Sequence, residues 1–152
     1  MKEPIFRDEL KQFIYAASRA TYASGDESIK VKQSDGSTTI EFAEGDFKFH
    51  DNYFGGEPYG GREVVFYQGK AVWMMVYYGL VHSENGNAEV YGVLMDALRN
   101  TTPEAPYRGP KVFERDNWRY ENNLEGEVKN FTVPKRSTVM VSVFTKRAIL
   151  VD

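Results

Sequence analysis

One stretch of the sequence brings acid, base and anion-binding side chains towards a single place. Glu63 stands beside Arg62 at the start of an apolar run, and tyrosines lie before and after it. A carboxyl group desolvated among tyrosines has a raised pKa and can exchange protons near neutral pH. The side chains predicted to converge at one end of a β-hairpin as an acid–base cluster are Tyr53, Arg62, Glu63, Tyr77, Tyr78, His82 and Arg108.

The same residues have a simpler interpretation. Arg62 and Glu63 begin a predicted strand, and neighbouring charges at such a place commonly form a surface ion pair. In addition, no acid–base pair in the cluster has a sequence spacing that fixes its geometry. An enzyme therefore stays an alternative, and a role without catalysis is favoured.

A binding site for a small molecule is the function that the residue pattern favours most. Such sites have apolar walls and a few polar groups, and Arg62 or Arg108 would contact an anionic group of the ligand. The predicted lining is Trp73, Met75 and Tyr77 from one strand face, with Tyr53, Tyr59, Tyr107 and Trp118 around it. The alternative is an ordinary aromatic core, since ten Tyr and ten Phe must be accommodated.

Residue types and spacing disfavour several other chemistries. His50 and Asp51 are adjacent in a strand-like segment, so their side chains point to opposite sides and cannot easily chelate one metal. The chain has no cysteine and no Gly-x-Ser-x-Gly segment. The glycine-rich segment at 54–61 precedes a strand and lacks the Lys-Ser/Thr of a phosphate loop, so it predicts a wide turn. We expect no metal and no cofactor.

Composition predicts one domain over 1–152. The chain has 152 residues, 41% of them hydrophobic, and a net charge of −3 without a basic stripe, which disfavours nucleic-acid binding. Its beginning, MKEPIFRDELKQF, has charges where a signal peptide needs an apolar core, and no stretch approaches membrane-spanning length. We therefore expect a cytoplasmic protein.

The element that must position the candidate residues is a hairpin over 62–81. Apolar runs flank Gln68, Gly69 and Lys70, a connection typical of a β-hairpin. One face of its second strand carries Val72, Met74, Val76 and Tyr78, and the other carries Trp73, Met75 and Tyr77. Because neither face is polar, the hairpin is predicted to lie mid-sheet with both faces covered. The second cover could be sheet, a ligand or a partner subunit, and a partner would make the protein a homodimeric interaction module.

Two amphipathic helices are predicted, over 5–21 and 88–100. Gly92 inside the second suggests close packing against the sheet. Together with the strand patterns, this predicts an α+β fold, a curved and largely antiparallel sheet with both helices on one face. A faint echo between 44–52 and 114–122 suggests a pseudo-twofold of two α-plus-β-meander halves.

Several segments together resemble a bacterial family of uncharacterised cytoplasmic proteins that carries only a domain-of-unknown-function label. They are Thr21 to Gly25, Tyr53 to Gly55, Gly61 to Val65, Gly69 to Met74, Tyr77 to Gly79, Tyr107 to Pro110 and Trp118 to Tyr120. The resemblance spans nearly the whole chain. Some members carry this domain behind an Xre-type helix-turn-helix, which implies a sensory or effector-binding role by analogy. The family supplies no catalytic residues to compare.

Overall fold

A computed structural model describes residues 3–79, 81, 87–104, 106–122, 143–145 and 148–150. Within these ranges the chain begins with helix α1 (Glu3–Ala20) and a short 3₁₀ turn (Glu27–Ile29). Five strands follow, which are β1 (Val31–Lys32), β2 (Thr38–Glu44), β3 (Phe47–Phe54), β4 (Tyr59–Tyr67) and β5 (Lys70–Gly79). The rest comprises α2 (Asn87–Arg99), β6 (Val112–Arg115), β7 (Trp118–Glu121), β8 (Val143–Thr145) and β9 (Ala148–Leu150).

The first five strands form one antiparallel meander in chain order. β8 extends this sheet as a parallel neighbour of β5, and β6, β7 and β9 form a second, smaller antiparallel sheet. Neither sheet closes on itself. The prediction of an α+β fold with a largely antiparallel sheet is therefore confirmed.

The central hairpin is formed by β4 and β5. Its turn consists of Gln68 and Gly69, which have φ angles of 47° and 78°. Two consecutive positive φ angles are typical of the type I′ turn, whose twist matches that of antiparallel strands. β4 lies between β3 and β5, so the hairpin is inside the sheet as predicted.

One side of the sheet, which we call the inner face, carries two cross-strand rows of residues. These rows are Ile40–Asp51–Glu63–Met75 and Phe42–Phe49–Val65–Trp73. Strand side chains alternate between the two sides, so the register places each row on one face. The inner face therefore holds two carboxylates among apolar side chains.

Both helices lie on the inner face. The apolar stripe of α1, which includes Leu10, Phe13 and Ile14, packs against Phe49 and Val65. In α2, Leu94 and Leu98 line a cavity together with Ile40 and Tyr77 of the inner face. The predicted placement of both helices on one face is confirmed.

Within the described ranges, the single chain leaves one face of β5 without the predicted cover. Met74, Val76 and Tyr78 point away from the helices and are 39%, 38% and 54% exposed. Apolar residues of this size are tolerated singly at protein surfaces, so an apolar strand face need not be a buried one. A partner subunit on this side remains a prediction that a single chain does not test.

A β-bulge breaks the predicted row of Val72, Met74, Val76 and Tyr78. The register between β4 and β5 shifts at Val65/Phe66, where Val65 pairs with Trp73 and Phe66 with Ala71. A bulge leaves one residue unpaired and bends its strand. Val72 consequently packs with the inner core instead of joining Met74.

Two glycine predictions also need correction. β4 begins at Tyr59, so Gly60 and Gly61 are strand residues and the predicted wide turn at 54–61 is shorter. A Cβ built on Gly92 would meet the Arg115 guanidinium at 3.5 Å, an ordinary contact, so close packing against the sheet does not explain this glycine.

The echoed segments both form hairpins with two-residue turns. β2 and β3 join through Gly45 and β6 and β7 through Asp116, with φ angles of 59° and 54°. The two echoed hairpins lie in different sheets, however, and the second half adds β8 alone to the larger sheet among the described strands. The sequence also predicts strands around Val128 and Phe131 and over 138–144, and all of these positions except 143–144 lie outside the described residues, as does the candidate His82.

Candidate functional site: a tyrosine-lined cavity

A cavity of about 350 Å³ lies between the inner face of the sheet and helix α2. Its volume is within the range of small-molecule sites in proteins. Most of its wall is aromatic or aliphatic, and its charged groups are few. The residues that line it are Tyr22, Lys30, Ile40, Asp51, Tyr53, Gly55, Gly56, Glu57, Tyr59, Tyr77, Tyr91, Leu94, Met95, Leu98 and Arg108.

Gly61 creates the space in which the Tyr77 side chain lies. The register pairs Tyr53 with Gly61 and Gly61 with Tyr77, so Gly61 is between two tyrosines on the inner face. A Cβ at Gly61 would stand 2.5 Å from the Asn52 carbonyl oxygen and 2.7 Å from the Tyr77 hydroxyl. With glycine there, the Tyr77 hydroxyl reaches across β4 and donates a 2.8 Å hydrogen bond to Asp51 Oδ1.

Asp51 is a buried carboxyl group, with 3% of its surface exposed. Desolvation raises its pKa to about 6, although the Tyr77 hydrogen bond and the charge of Arg108 act in the opposite direction. Burial and the nearby Asp51 and Glu63 carboxylates raise the pKa of Tyr77 far above its ordinary value. Tyr77 therefore remains a proton donor to Asp51 at any physiological pH.

Glu63 and Arg108 form a buried ion pair beside Asp51. Their Oε1 and Nη1 atoms are 3.3 Å apart, and the two side chains are 2% and 7% exposed. The Arg108 guanidinium also lies over the rings of Tyr77 and Tyr22, at 4.8 and 5.6 Å from their centroids. Burial disfavours its charge, but Glu63 and the surrounding tyrosines outweigh burial and raise the pKa of Arg108.

The backbone holds Arg108 in place through an unusual conformation. Its φ angle is 62°, and its carbonyl oxygen accepts hydrogen bonds from the Tyr120 hydroxyl and from Asn122 Nδ2. Both donors belong to the segment of β7 and the residue after it. The smaller sheet thus positions the cation of the cavity, while the larger sheet supplies the carboxylates.

Glu57 and Lys30 bring further charges to the cavity wall. Glu57 accepts hydrogen bonds from the Tyr91 hydroxyl and, at 2.8 Å, from the backbone N–H of Val81. Lys30 Nζ is 2.6 Å from Glu27 Oε1, so its charge already has a partner. The Tyr59 ring lies 6.5 Å from that of Tyr77 and 5.7 Å from that of Tyr91, which extends the aromatic wall.

Four of the twelve residues that the sequence analysis singled out line this cavity. They are Tyr53, Tyr59, Tyr77 and Arg108. Glu63 is buried behind them as the partner of Arg108, and Met75 is buried in the same inner row.

The other predicted site residues lie elsewhere. Trp73 packs in the core beneath α1, 6.3 Å from the ring of Tyr107. Trp118 is buried in β7 and donates a 2.8 Å hydrogen bond to Glu89 of α2. Arg62 and Tyr78 are exposed and point to the opposite side of the sheet, because they alternate with Glu63 and Tyr77. The predicted surface ion pair of Arg62 with Glu63 is therefore wrong.

Sequence reasoning missed Asp51, although a signal was present. In the alternating segment of β3, Asp51 has the same parity as Phe47, Phe49 and Tyr53, so it is a carboxylate on an apolar row. A charge in that position indicates a buried partner or a site. Tyr22 and Tyr91 gave no such signal, because their place depends on how the helices dock.

Within the described ranges, no three His, Asp or Glu side chains come together as a set of metal ligands. The described helices include none that is long and apolar enough to cross a membrane.

Fold and site together define a small α+β domain with a tyrosine-lined cavity and a buried charge cluster at its base. Residues 51–143 match the family described as Domain of unknown function (DUF5680), and the chain belongs to that family. The matched region begins at Asp51 and includes Glu63, Tyr77 and Arg108. Neither a curated protein nor a solved structure matches the chain.

Proposed function

We propose that this domain binds a small molecule in the cavity between the inner face and α2. The observation that supports the proposal is an open space of about 350 Å³ with tyrosine and aliphatic walls. Asp51 and Arg108, both nearly inaccessible to bulk water, contribute polar groups at its base. This combination of apolar walls with a few convergent polar groups is typical of small-molecule sites.

A sensory role is the form of binding that we favour. The resemblance to bacterial, cytoplasmic proteins in which some members follow an Xre-type helix-turn-helix supports it by analogy. In that role the ligand would stabilise one arrangement of α2 on the sheet, because α2 supplies one wall of the cavity. Bacterial origin, cytoplasmic location and the association with such a regulator are parts of this proposal.

An enzyme using acid–base chemistry is the second candidate, and Asp51 favours it. A carboxyl group with a pKa of about 6 exchanges protons near neutral pH, and the Tyr77 hydroxyl lies 2.8 Å away. Glu63, the acid–base candidate chosen from the sequence, is less suited because Arg108 neutralises its charge. Turnover abolished by Asp51→Asn, with unchanged ligand binding, would favour this candidate.

The test of binding is a thermal-shift screen of small metabolites against the wild-type chain and two methionine variants. Met95→Trp places a large side chain at the cavity wall, whereas Met74→Trp makes the same change on the exposed side of β5. Ligands should raise the melting temperature of the wild type and of Met74→Trp, since binding to the folded state stabilises it. They should not do so for Met95→Trp.

Two results would contradict the proposal. One is a screen in which no class of compound stabilises the wild type. The other is equal stabilisation of Met95→Trp and Met74→Trp, because this would locate the ligand outside the cavity.

A further inference from the structure

We propose that the ligand of this cavity is a small organic cation, held by the Asp51 carboxylate and by the faces of the surrounding tyrosine rings. This inference rests on the proposed function and adds the chemical class of the ligand. It starts from the charges buried at the base of the cavity.

The buried charges at the base are unequal in number. Asp51 and Glu63 are cross-strand neighbours in β3 and β4, and both are almost fully buried. Among the described residues, Arg108 is the cation at this base, and its Nη1 atom faces Glu63 at 3.3 Å. Asp51 receives a hydrogen bond from the neutral Tyr77 hydroxyl, and no described cation forms an ion pair with it. When Asp51 is ionised, the cluster carries one negative charge in excess, and a bound cation would balance it.

The wall above Asp51 is suited to the same class of ligand. Five tyrosines line the cavity, and the ring of Tyr59 contacts those of Tyr77 and Tyr91. The face of an aromatic ring is negative, so several rings around one space attract ammonium groups, above all those whose methyl groups prefer an apolar wall. The Asp51 carboxylate and the tyrosine rings therefore both favour a positively charged ligand.

The remaining charges on the wall are consistent with a cation. Glu57 adds a carboxylate close to Tyr91, and the positive charge of Lys30 is paired with Glu27. Arg108 also lines the cavity, but its charge is paired with Glu63, and an anion beside it would also approach the Asp51 carboxylate, which repels it. One feature favours an anion, namely that no described group accepts a hydrogen bond from the buried Nε–H of Arg108. The experiment therefore includes an anionic probe.

The test compares three probes that share a benzyl group. Benzyltrimethylammonium is the cation, phenylacetate the anion and benzyl alcohol the neutral compound. Isothermal titration calorimetry on the full chain, near pH 7.5, measures the affinity of each. We expect the cation to bind at least about tenfold more tightly than the other two, as charge complementarity in a desolvated site implies.

Asp51→Asn tests the anchoring carboxylate. Asparagine keeps the shape of the side chain and an oxygen that can accept from Tyr77, but it removes the charge. The variant should lower the affinity for benzyltrimethylammonium by about tenfold or more, since it removes an ion pair in a desolvated site. Asp116→Asn is the matched control, because Asp116 is 84% exposed at the turn between β6 and β7. That variant should bind like the wild type.

The pH dependence provides a second readout that needs no variant. Benzyltrimethylammonium does not titrate, so any pH effect belongs to the protein. Affinity should be low at about pH 5, rise as Asp51 loses its proton through a pKa of about 6, and become constant above about pH 7. The loss at about pH 5 should be about tenfold, the reciprocal of the ionised fraction. The charged and titratable groups around Asp51 and along the cavity wall are Tyr22, Lys30, Tyr53, Glu57, Tyr59, Glu63, Tyr77, Tyr91 and Arg108.

The outcomes separate this inference from the proposed function. If phenylacetate or benzyl alcohol binds as tightly as the cation, the ligand class is wrong and the binding site stands. If the cation binds equally well at about pH 5 and pH 7.5, Asp51 is not its anchor and the inference fails. If no probe binds and the metabolite screen also finds no ligand, both proposals fail together.

Discussion

At the residue scale, Asp51 and Glu63 are cross-strand neighbours in β3 and β4, and they differ in the group that interacts with each carboxylate. Glu63 faces the Arg108 guanidinium, which holds its charge in a buried place. Asp51 has a neutral tyrosine as its hydrogen-bond donor, and its pKa is raised to about 6. The two carboxylates of this row thus have different partners, the Arg108 guanidinium for Glu63 and a neutral tyrosine hydroxyl for Asp51.

The ion pair of Glu63 with Arg108 should be costly to break from one side. Glu63→Gln leaves the Arg108 charge buried, and we expect the free energy of unfolding to fall by about 3 to 5 kcal/mol. The double variant Glu63→Gln/Arg108→Met removes both charges and should cost less than the sum of the single changes. Urea unfolding, monitored by circular dichroism, measures the stability of Glu63→Gln, of Arg108→Met and of the double variant.

Lys48→Met provides the control for this cycle. Lys48 pairs with Glu41 at 2.9 Å, but both side chains are about half exposed. Exposed pairs contribute at most about 1 kcal/mol, so this change should have little effect. If Glu63→Gln and Lys48→Met lowered the free energy of unfolding equally, the Glu63–Arg108 pair would contribute no more than an exposed ion pair.

At the element scale, β5 decides which residues meet the helices. Its burial alternates, with Met75 and Tyr77 inside and Met74, Val76 and Tyr78 outside, although its hydrophobicity does not alternate. The sequence therefore located the strand and its turn but could not say which row faces inward. That choice depends on the register with β4 and on the bulge at Val65/Phe66.

Adjacent methionines of β5 should differ in what they contribute to stability. Met75 is 2% exposed and Met74 is 39% exposed. Met75→Ala creates a cavity in the core and should lower the free energy of unfolding by about 2 to 5 kcal/mol, whereas Met74→Ala should cost less than about 1 kcal/mol. Chemical denaturation of the two variants measures the difference, and a similar cost for both would mean that the outer row is covered too.

At the scale of the whole molecule, two core clusters meet at Tyr22. One cluster joins α1 to the larger sheet, and the other joins α2 to β7 of the smaller sheet. Tyr22 packs against both. Shared contacts couple the stability of neighbouring units, so the described elements should unfold together, and a single domain over 1–152 stays a prediction that this unfolding would test.

Each of the two regions has a tryptophan reporter, since Trp73 packs against the first cluster and Trp118 donates a hydrogen bond to Glu89 of α2. Trp73→Phe leaves Trp118 near α2, and Trp118→Phe leaves Trp73 beneath α1. In each variant, tryptophan fluorescence and far-ultraviolet circular dichroism should give the same urea midpoint, because the clusters lose their packing in one transition. If the Trp118 fluorescence changed at a lower urea concentration than the circular dichroism, the molecule would unfold as two separate units.

The local pattern of the sequence determined the elements, and only the tertiary structure decided the site. Hydrophobic periodicity located both helices, and two apolar runs around a short glycine-containing turn located the β4–β5 hairpin, since these signals act between near neighbours in the chain. The cavity depends on contacts between distant residues, such as Arg108 with Glu63, 45 positions apart, and Tyr77 with Asp51, 26 apart. Such contacts follow from strand register and helix docking, and these are set by the packing of the whole chain. The sequence thus named Tyr53, Tyr59, Tyr77 and Arg108 as site residues, but only the tertiary structure showed that Tyr77 contacts Asp51 and that Arg108 contacts Glu63.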